Sequence, residues 1–407
     1  MNQTRTPWLD AAAAAALLGV QRPTLYAYVS RGLVRSQPSP AGPRQRRYAR
    51  EDVERLRRRA DERRDPAKAA AQALQWGLPI LESSIALIDG AALYYRGHDA
   101  VAIARTRSIE ETAALIWTGR FEAPLTAGPD RPGVRPATAA ALPFVARAQS
   151  ALAAAAAADP LAFDLRPDAV AATGWRIVAI LSAAAAQRGS ATAPDRRLAE
   201  AWRVPARSTD LLRAAIILCA DHELNVSSFT ARCVASAGGS PYGVVIAGLA
   251  ALEGTRHGGI AARVEAMLES MRRLPPERAI AERLRRGEPI HGFGHPLYRS
   301  GDPRAAALLG MLGERYPSSR ELAFVRGVAD AAAATVRDRP TIDFALAALA
   351  RVLRLPAGAP LALFAIGRSI GWIGHALEQY ATGQLIRPRA RYVGVLPRPA
   401  PARPLPS

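Results

Sequence analysis

From about residue 79 onward, apolar residues recur at the three- and four-residue spacing of helices, interrupted by clusters of proline and glycine. This spacing predicts a long succession of helices, in keeping with a chain rich in alanine and leucine. No period of roughly 20 to 50 residues repeats, which argues against a solenoid. The clearest helical segments are IEETAALIWTGR, DAVAATGWRIVAILSAAAAQ, STDLLRAAIILCA, SPYGVVIAGLAALEG and TIDFALAALARVLRL, together with the alanine run 151–158.

One segment of this second part has a different pattern. SSIALIDGAALYYRGHDA (83–100) alternates apolar and polar residues on both sides of Asp89 and Gly90. Alternation around an Asp-Gly pair is typical of two strands joined by a tight turn. We therefore predict one small β-hairpin at the start of an otherwise helical body.

Residues 1–65 have the pattern of a separate small unit, followed by a connector at 66–78. LDAAAAAALLGV predicts a helix capped by Asp10 and ended by Gly19, and QRPTLYAYVSRGL predicts a second helix with Pro23 in its first turn. SQPSPAGPRQRRYA then predicts a hairpin rich in proline and glycine, and REDVERLRRRADERR a charged helix. Two short helices joined by a tight turn indicate a helix-turn-helix.

This unit resembles the winged helix-turn-helix domains of the MerR and excisionase type over most of residues 8–60. The resemblance implies a DNA-binding face on the second helix and phosphate contacts from the wing. An interaction or dimerisation module without DNA contact is the alternative. The groove-facing residues would be Gln21, Arg22, Thr24, Tyr26 and Tyr28, and the wing residues Arg44, Arg46 and Arg47.

The charge of the chain bears on the choice between DNA binding and an interaction module. The formal net charge is +19, and Lys68 is the only lysine. Residues 1–66 hold fourteen arginines and seven acidic residues, an excess that would suit an anionic partner such as nucleic acid or phosphate. A chain-wide bias toward alanine, arginine, proline and glycine explains the same charge without a partner. Both interpretations stay open.

The cysteines and the apolar runs of the chain indicate its cellular compartment. Cys219 and Cys233 lie in apolar stretches, and their spacing indicates neither a disulfide framework nor a metal site. We find no secretory segment, and no run of about 18 apolar residues that would span a membrane. We therefore expect a soluble, cytoplasmic protein that binds no metal.

Four polar clusters interrupt the helical body. Each one taken singly has an ordinary explanation, such as a packed histidine or a carboxylate in the first turn of a helix. The four clusters together suit one kind of chemistry when three arginines are considered with them. The guanidinium groups of Arg304, Arg368 and Arg387 can each bind a carboxylate through two N–H donors. A small polycarboxylate would be held while a carboxylate deprotonates a carbon acid and imidazoles stabilise the enol. The clusters are DHELNVSSFTAR with His222, EGTRHGG with His257, HGFGHPLYRSGDPR with His295, and TIDFALAAL with Asp343.

The order HELN, RHGG, GFGHPLY with DPRA, DF, GRSIGW and IRPR resembles the citrate synthase family over about residues 79–394. The resemblance implies an all-α fold with a small domain at roughly 258–342 and a large domain that close over a cleft. It also implies an acyltransferase that forms at least a homodimer. Acetyl-CoA would be the co-substrate, without a bound cofactor or metal.

The resemblance also implies a role for each matching residue. His222 and His295 would bind oxaloacetate, with His295 polarising its carbonyl, while His257 would stabilise the enol of acetyl-CoA and Asp343 would remove the methyl proton. The carboxylate clamp would comprise Arg304, Arg368 and Arg387, the last supplied by the partner subunit. Arg299 would meet the CoA phosphates, and Asn225 ranks below these residues.

The chain departs from the family where HGG continues as Ile-Ala-Ala-Arg instead of Ala-Asn-Glu, which leaves the choice of acyl-CoA open. Citrate synthesis is the principal hypothesis. The alternatives are 2-methylcitrate synthesis from propionyl-CoA and a ligand-sensing transcriptional regulator built on the same fold. Of the other histidines, His98 is expected to be structural or at the surface, His375 to pack or to contact another helix, and His291 to lie in a loop near the mouth of the site.

Overall fold

The computed structural model describes residues 8–39, 42–54, 56–57, 81–90, 92–122, 125, 142–187, 193–298, 300–390 and 392–395, with residues 42–44 described by their backbone alone. Contacts between Cα atoms divide the chain into two compact units, Met1–Glu82 and Ser83–Ser407. The predicted linker 66–78 lies outside the described residues. The subdivision of the second unit at 258–342 stays a prediction.

The first unit combines short helices with a three-stranded antiparallel sheet in the order β1-β3-β2. Asp10 caps the first helix by accepting a hydrogen bond from the amide of Ala13 at 2.7 Å, and Gly19 ends it in the left-handed region at φ 65°. Leu25, Tyr48 and Val53 are buried at the centre of its core. The elements are β1 (Trp8–Leu9), α1 (Ala11–Leu18), α2 (Arg22–Ser30), β2 (Ser36–Ser39) and β3 (Gly42–Ala49), and residues 50–54 are helical. The helices and the hairpin agree with the predicted pattern, whereas strand β1 was not predicted.

The second unit begins with a small antiparallel sheet formed by β4 (Ala86–Asp89), β5 (Ala92–Tyr95) and β6 (His98–Asp99). Asp89 pairs with Ala92, so the turn falls at the predicted Asp-Gly position. Tyr95 is fully buried, and its hydroxyl donates to the carbonyl of Ile217 at 3.0 Å. The hairpin thereby satisfies a carbonyl at the end of a core helix.

Helices make up most of the described part of the second unit, where strands are few, and this confirms the expected all-α class. The helices are α3 (Ala100–Thr106), α4 (Ile109–Thr118), α5 (Phe144–Ala158), α6 (Pro167–Ala186), α7 (Pro194–Ala201), α8 (Thr209–Leu218), α9 (Val226–Ser236), α10 (Pro241–Leu252), α11 (Gly259–Met271), α12 (Pro276–Arg285), α13 (Pro303–Arg315), α14 (Arg320–Val336), α15 (Ile342–Leu353) and α16 (Ala359–Thr382). The alanine run lies in α5, as predicted.

Helix α16 lies at the centre of this unit, and 18 of its 24 residues are buried. It packs against α6, α8, α9 and α10. A Cβ atom at Gly367 or Gly371 would overlap the backbone carbonyls of Ile216 and Ala220, so both glycines allow close approach. The segment 219–225, which joins α8 to α9, is therefore seated directly on α16.

Among the described residues, α6 is long and apolar enough to cross a membrane by length and composition. Half of its most apolar 18-residue window is buried inside the protein. The helix packs against α5, α7 and α16, and Gly174 on it faces Ile373. These contacts are those of a core helix.

Candidate active site

Three aromatic rings meet where the segment 219–225 faces the loop before α13. The ring of His222 lies 5.0 Å from that of His295 and 5.4 Å from that of Tyr298, and the rings of His295 and Tyr298 are 5.1 Å apart. Nε2 of His222 and the hydroxyl of Tyr298 are hydrogen-bonded at 3.0 Å. The structure thus brings together the two histidines predicted to bind the acceptor substrate, and adds a tyrosine that was not predicted.

The protonation of His295 follows from its surroundings. Burial and the charge of Arg304 lower the pKa of His295, which favours the neutral imidazole near pH 7. The amide of Leu297 donates to Nδ1 at 3.2 Å, so Nδ1 is the acceptor and the ring proton belongs on Nε2. His295 can therefore donate a hydrogen bond through Nε2 without carrying a positive charge.

The loop that carries His295 is paired with the segment before α15. The amide of Gly294 donates to the carbonyl of Arg339 at 3.0 Å, and the amide of Thr341 donates to the carbonyl of Gly292 at 2.9 Å. Gly292 and Gly294 have φ values of 82° and 75°, a region that glycine adopts readily. This pairing fixes His295 relative to Asp343, which lies in the first turn of α15.

Asp302 connects the same two elements through a buried ion pair. Its carboxylate accepts from Nε and Nη2 of Arg304 at 2.9 and 2.8 Å, and from the amide of Ile342 at 3.0 Å. Both side chains are almost inaccessible to solvent, at 3% for Arg304 and 0% for Asp302. Burial opposes both charges, but their contact lowers the pKa of Asp302 and raises that of Arg304. Arg304 therefore binds Asp302 through the Nε and Nη2 edge of its guanidinium group, and Nη1 takes no part in this contact.

A second cluster surrounds His257. Its Nε2 lies 2.8 Å from Oγ of Ser227, and the indole of Trp372 donates to the same oxygen at 3.2 Å. Ser227 Oγ donates to Oδ1 of Asn225, the residue that caps α9, at 2.8 Å. Burial, and the charge of Arg368 next, lower the pKa of His257 to about 4. This imidazole is therefore neutral at physiological pH, with Nε2 committed to Ser227.

Arg368 lies on α16 and is buried. Its Nε donates to the carbonyl of Cys219 at 2.9 Å, and its guanidinium lies 4.7 Å from the ring of Phe364. Phe364 in turn contacts the ring of His257 edge-on at 6.0 Å. The charges of Arg304 and Arg368 both act on His222, whose pKa is lowered first by burial and then by these two residues. The two clusters therefore share one electrostatic environment.

Asp343 shares this environment as the candidate base. Burial raises the pKa of Asp343 to about 6, with Arg304 acting in the opposite direction and Asp302 in the same one. Thr341, not Asp343, occupies the N-cap position of α15, so Asp343 is a first-turn residue. A carboxylate with a raised pKa and three neutral imidazoles can exchange a proton with a weak carbon acid.

Some predicted site residues are not part of these clusters. Arg387 lies exposed in the coil after α16, and no described contact joins it to the histidines. Arg299 lies outside the described residues. His98 packs edge-on against Phe121 at 4.9 Å, and His291 is half-buried, with its pKa lowered by burial and by Arg263 and Arg283. His375, expected to be a packing residue, is fully buried and paired with Asp221.

The structure adds residues that sequence reasoning missed, namely Ser227, Tyr298, Asp302 and Phe364. Asp302 carried a readable signal, because an aspartate directly before proline is typical of a helix start, and Arg304 follows two residues later. Ser227 stood in the quoted segment DHELNVSSFTAR, two residues after Asn225, which caps α9. Tyr298 and Phe364 had no local signal, since their contacts join segments that are distant in sequence.

In the first unit, the second helix presents a polar face. Gln21, Arg22, Thr24 and Tyr26 are exposed, Tyr26 to 51%, whereas Tyr28 is half-buried against the small core. Arg46 is exposed on β3, and the guanidinium of Arg47 lies 5.7 Å from the ring of Trp8. The side chain of Arg44 lies outside the described residues.

Comparison with protein families divides the chain in the same way. A family described as "Citrate synthase, C-terminal domain" matches residues 73–389. A family described as "Helix-turn-helix domain" matches residues 8–61. The first match covers most of the chain.

Curated relatives include "Putative citrate synthase 2" of Mycobacterium tuberculosis, 37% identical over 200 residues, 47% of this chain and 53% of the relative. "Citrate synthase 2" of Bacillus subtilis is 37% identical over 44% of this chain and 50% of the relative. "2-methylcitrate synthase" of Shewanella oneidensis is 32% identical over 47% of this chain and 52% of the relative. The chain thus spans about half the length of the curated relatives it matches.

Solved structures of similar fold cover more of the chain. Citrate synthase from Thermotoga maritima is 24% identical with a TM-score of 0.62, covering 80% of this chain and 96% of that one. The ternary complex of citrate synthase from Thermoplasma acidophilum with carboxymethyl coenzyme A and oxaloacetate is 24% identical with a TM-score of 0.66, covering 81% of this chain and 97% of that one. At this identity the likeness establishes the fold alone.

The buried Asp302–Arg304 pair can be tested by the isosteric substitution Asp302→Asn. It removes the negative charge but leaves the buried guanidinium, so we expect the free energy of unfolding of the second unit to fall by about 3–5 kcal/mol. Denaturant unfolding followed by circular dichroism measures the change.

Glu314→Gln is the matched control for this substitution. Glu314 pairs with Arg105 at the surface, where solvent screens the interaction, so its loss should have a much smaller effect. Equal effects of the two substitutions would show that the buried pair does not organise this region.

Proposed function

The chain belongs to the citrate synthase family, and from that premise we propose that it condenses acetyl-CoA with oxaloacetate and hydrolyses citryl-CoA to citrate and free CoA. The observation that carries the proposal is the clustering of a raised-pKa carboxylate, Asp343, with neutral histidines and two buried arginines. Such a set suits a reaction that passes through an enol and a polarised ketone.

In the proposed reaction, Asp343 accepts a proton from the methyl group of acetyl-CoA. A methyl group beside a thioester is a weak carbon acid, so its deprotonation needs a donor at the thioester oxygen. His257 supplies that donor through Nδ1, because its Nε2 is held by Ser227. For Nε2 to accept, the hydroxyl of Ser227 must turn from Oδ1 of Asn225, to which it donates in this structure, to the imidazole, and the ring proton then lies on Nδ1.

The acceptor side of the site would bind oxaloacetate. His295 donates through Nε2 to the ketone oxygen, which increases the electrophilic character of the carbon that the enol attacks. Arg304 through Nη1, Arg368, and Arg387 from the partner subunit would hold the carboxylates, with His222 beside them. The same neutral imidazoles can then serve the hydrolysis of the thioester intermediate.

The remaining assignments belong to the same proposal. Arg299 would meet the CoA phosphates, and the protein would act as a homodimer because one clamp residue comes from the partner. Neither a metal nor a resident cofactor enters any step. Two free cysteines, Cys219 and Cys233, suit a reducing compartment, so we place the protein in the cytoplasm.

The proposal predicts that Asp343→Asn removes turnover but spares binding of oxaloacetate. The substitution keeps the shape of the side chain and removes the base, so the rate of CoA release should fall by about 10²–10⁴-fold. Release of thiol from acetyl-CoA plus oxaloacetate measures turnover, and calorimetry measures binding. Asp330→Asn makes the same chemical change at an exposed site on α14 and should have no effect.

The assay also decides among the alternatives. Faster thiol release with propionyl-CoA than with acetyl-CoA would assign the protein as a 2-methylcitrate synthase. Ligand binding without thiol release would support a sensor. A pure sensor needs no base, and the raised pKa of Asp343 argues for catalysis.

The rate should also depend on pH through Asp343. Burial raises the pKa of this carboxyl to about 6, so the base is protonated and inactive below that value and ionised above it. The pKa of His257, at about 4, is too low to contribute in the same range. We expect kcat/KM to fall about tenfold per pH unit below pH 6. Loss of thioester absorbance measures the rate, and a profile that stays flat to pH 5 would contradict the assignment.

For the first unit we propose binding to duplex DNA through α2 and the β2–β3 wing. The family match and the exposed Arg22, Thr24, Tyr26 and Arg46 favour it over an interaction module without nucleic acid. Arg46→Gln should weaken binding of the full chain to duplex DNA and reduce the slope of log K against log salt by about 1.

Fluorescence anisotropy over a salt series measures that slope. Arg286→Gln, at an exposed position in the second unit, is the control and should leave the slope unchanged. Binding without salt dependence, or no binding by the wild type, would favour an oligomerisation role for the unit.

A further inference from the structure

A buried pair, Asp221 and His375, lies behind the proposed oxaloacetate site and takes no part in the steps above. Nε2 of His375 is 3.1 Å from Oδ1 of Asp221, and both side chains are inaccessible to solvent. An ionised carboxylate only accepts hydrogen bonds, so Nε2 of His375 is the donor. The pair links α16 to the segment 219–225.

Asp221 directly precedes His222, and its backbone is fixed on two sides. The amide of Gly371 donates to the carbonyl of Ala220 at 3.0 Å, and the hydroxyl of Tyr95 lies 3.4 Å from the carbonyl of Asp221. A Cβ on Gly371 would also overlap the carboxylate of Asp221, so helix and segment are in direct contact there. Because the Asp221 side chain is held between Gly371 and His375, a shift of this side chain would move the backbone that carries His222.

The same carboxylate lies against Gly371, about one turn from Arg368 on α16. Arg368 and His375 are seven residues apart on α16, which places them on the same face of the helix two turns apart. Burial lowers the pKa of Arg368, and Asp221 is the foremost group that opposes this effect. No carboxylate within the described residues forms a salt bridge with Arg368, whose Nε is bonded to the carbonyl of Cys219. Asp221 is thus the counter-charge of Arg368.

Burying this pair in the core is energetically less favourable than burying two apolar side chains. Oδ2 of Asp221 and Nδ1 of His375 are both buried, and neither has a hydrogen-bond partner among the described residues. An apolar pair of similar volume would leave no polar atom unsatisfied and would be at least as stable. The pair therefore does more than pack α16 against the segment 219–225.

We propose that His375 is a positioning residue for the oxaloacetate site, because it fixes the Asp221 carboxylate, which adjoins His222 in the chain and lies about one turn of α16 from Arg368. The inference rests on the proposed function, since it concerns the substrate that these two residues would bind. His375 itself touches neither substrate.

The test compares His375→Leu, which fills the space without a donor, with His375→Gln, which keeps an N–H donor for Asp221. His375→Leu should raise the Kd and the KM for oxaloacetate about tenfold, the effect of losing one hydrogen bond to a charged group. The KM for acetyl-CoA should not change, and His375→Gln should recover most of the loss in oxaloacetate binding. Ile373→Val is the control on the same helix, where a buried methyl group is removed without contact to Asp221.

A structural role alone would give a different result. If His375→Leu binds oxaloacetate like the wild type, or if His375→Gln is as impaired as His375→Leu, the inference is wrong. Where His375→Leu does not fold, Asp221→Asn removes the counter-charge while preserving shape, and the same selective loss is expected.

Calorimetry separates this inference from the proposed function. A wild-type protein that binds oxaloacetate but releases no thiol would contradict the proposed function, while the Kd values of the variants would still decide the role of His375. A wild-type protein that binds no oxaloacetate would contradict both.

Discussion

The geometry of the second unit depends on one buried ion pair. Asp302 caps α13, binds both Nε and Nη2 of Arg304, and accepts from the amide of Ile342 at the start of α15. Two charges removed from water are tolerable only if nearly all their hydrogen-bonding capacity is met, and this carboxylate receives four such bonds. The loop with His295 and the helix with Asp343 consequently cannot move independently.

Burial sets the protonation states of the site, and the same pair and Arg368 adjust them. Burial lowers the pKa of His222 and of His295; the charges of Arg304 and Arg368 add to this effect at His222, and that of Arg304 adds to it at His295, so both imidazoles are kept neutral. A cationic imidazole would bind a carboxylate more strongly but could not take up a proton. Asp343 experiences burial and the charge of Asp302 in one direction and the arginines in the other, and burial prevails. Neutral donors and one basic carboxylate thus result from burial, which the surrounding charges only adjust.

The hydrophobic pattern predicted the helical body, the hairpin at Asp89 and the helix-turn-helix well, because each depends on local spacing, caps and turns. The motifs also singled out His222, His257, His295 and Asp343, whose catalytic roles stay predictions. Tyr298, Phe364 and the partnership of Asp302 with Ile342 were beyond such reasoning, because they join segments that only the tertiary fold brings into contact. For the same reason the sequence alone suggests only a packing role for His375. Its partner Asp221 lies 154 positions earlier in the chain.

The position of the segment 219–225 explains why a histidine so far from the reacting atoms can affect them. This segment has no regular hydrogen bonding of its own, and Glu223 within it adopts a left-handed conformation with φ 52°. Such backbone persists only where neighbours over-determine it. Here the neighbours are the hydroxyl of Tyr95 from the hairpin, and the amide of Gly371 and the imidazole of His375 from α16. Of these three groups, only the imidazole of His375 contacts a charged side chain, that of Asp221. It is therefore the one group of the three that links the strained backbone beside His222 to the buried guanidinium of Arg368.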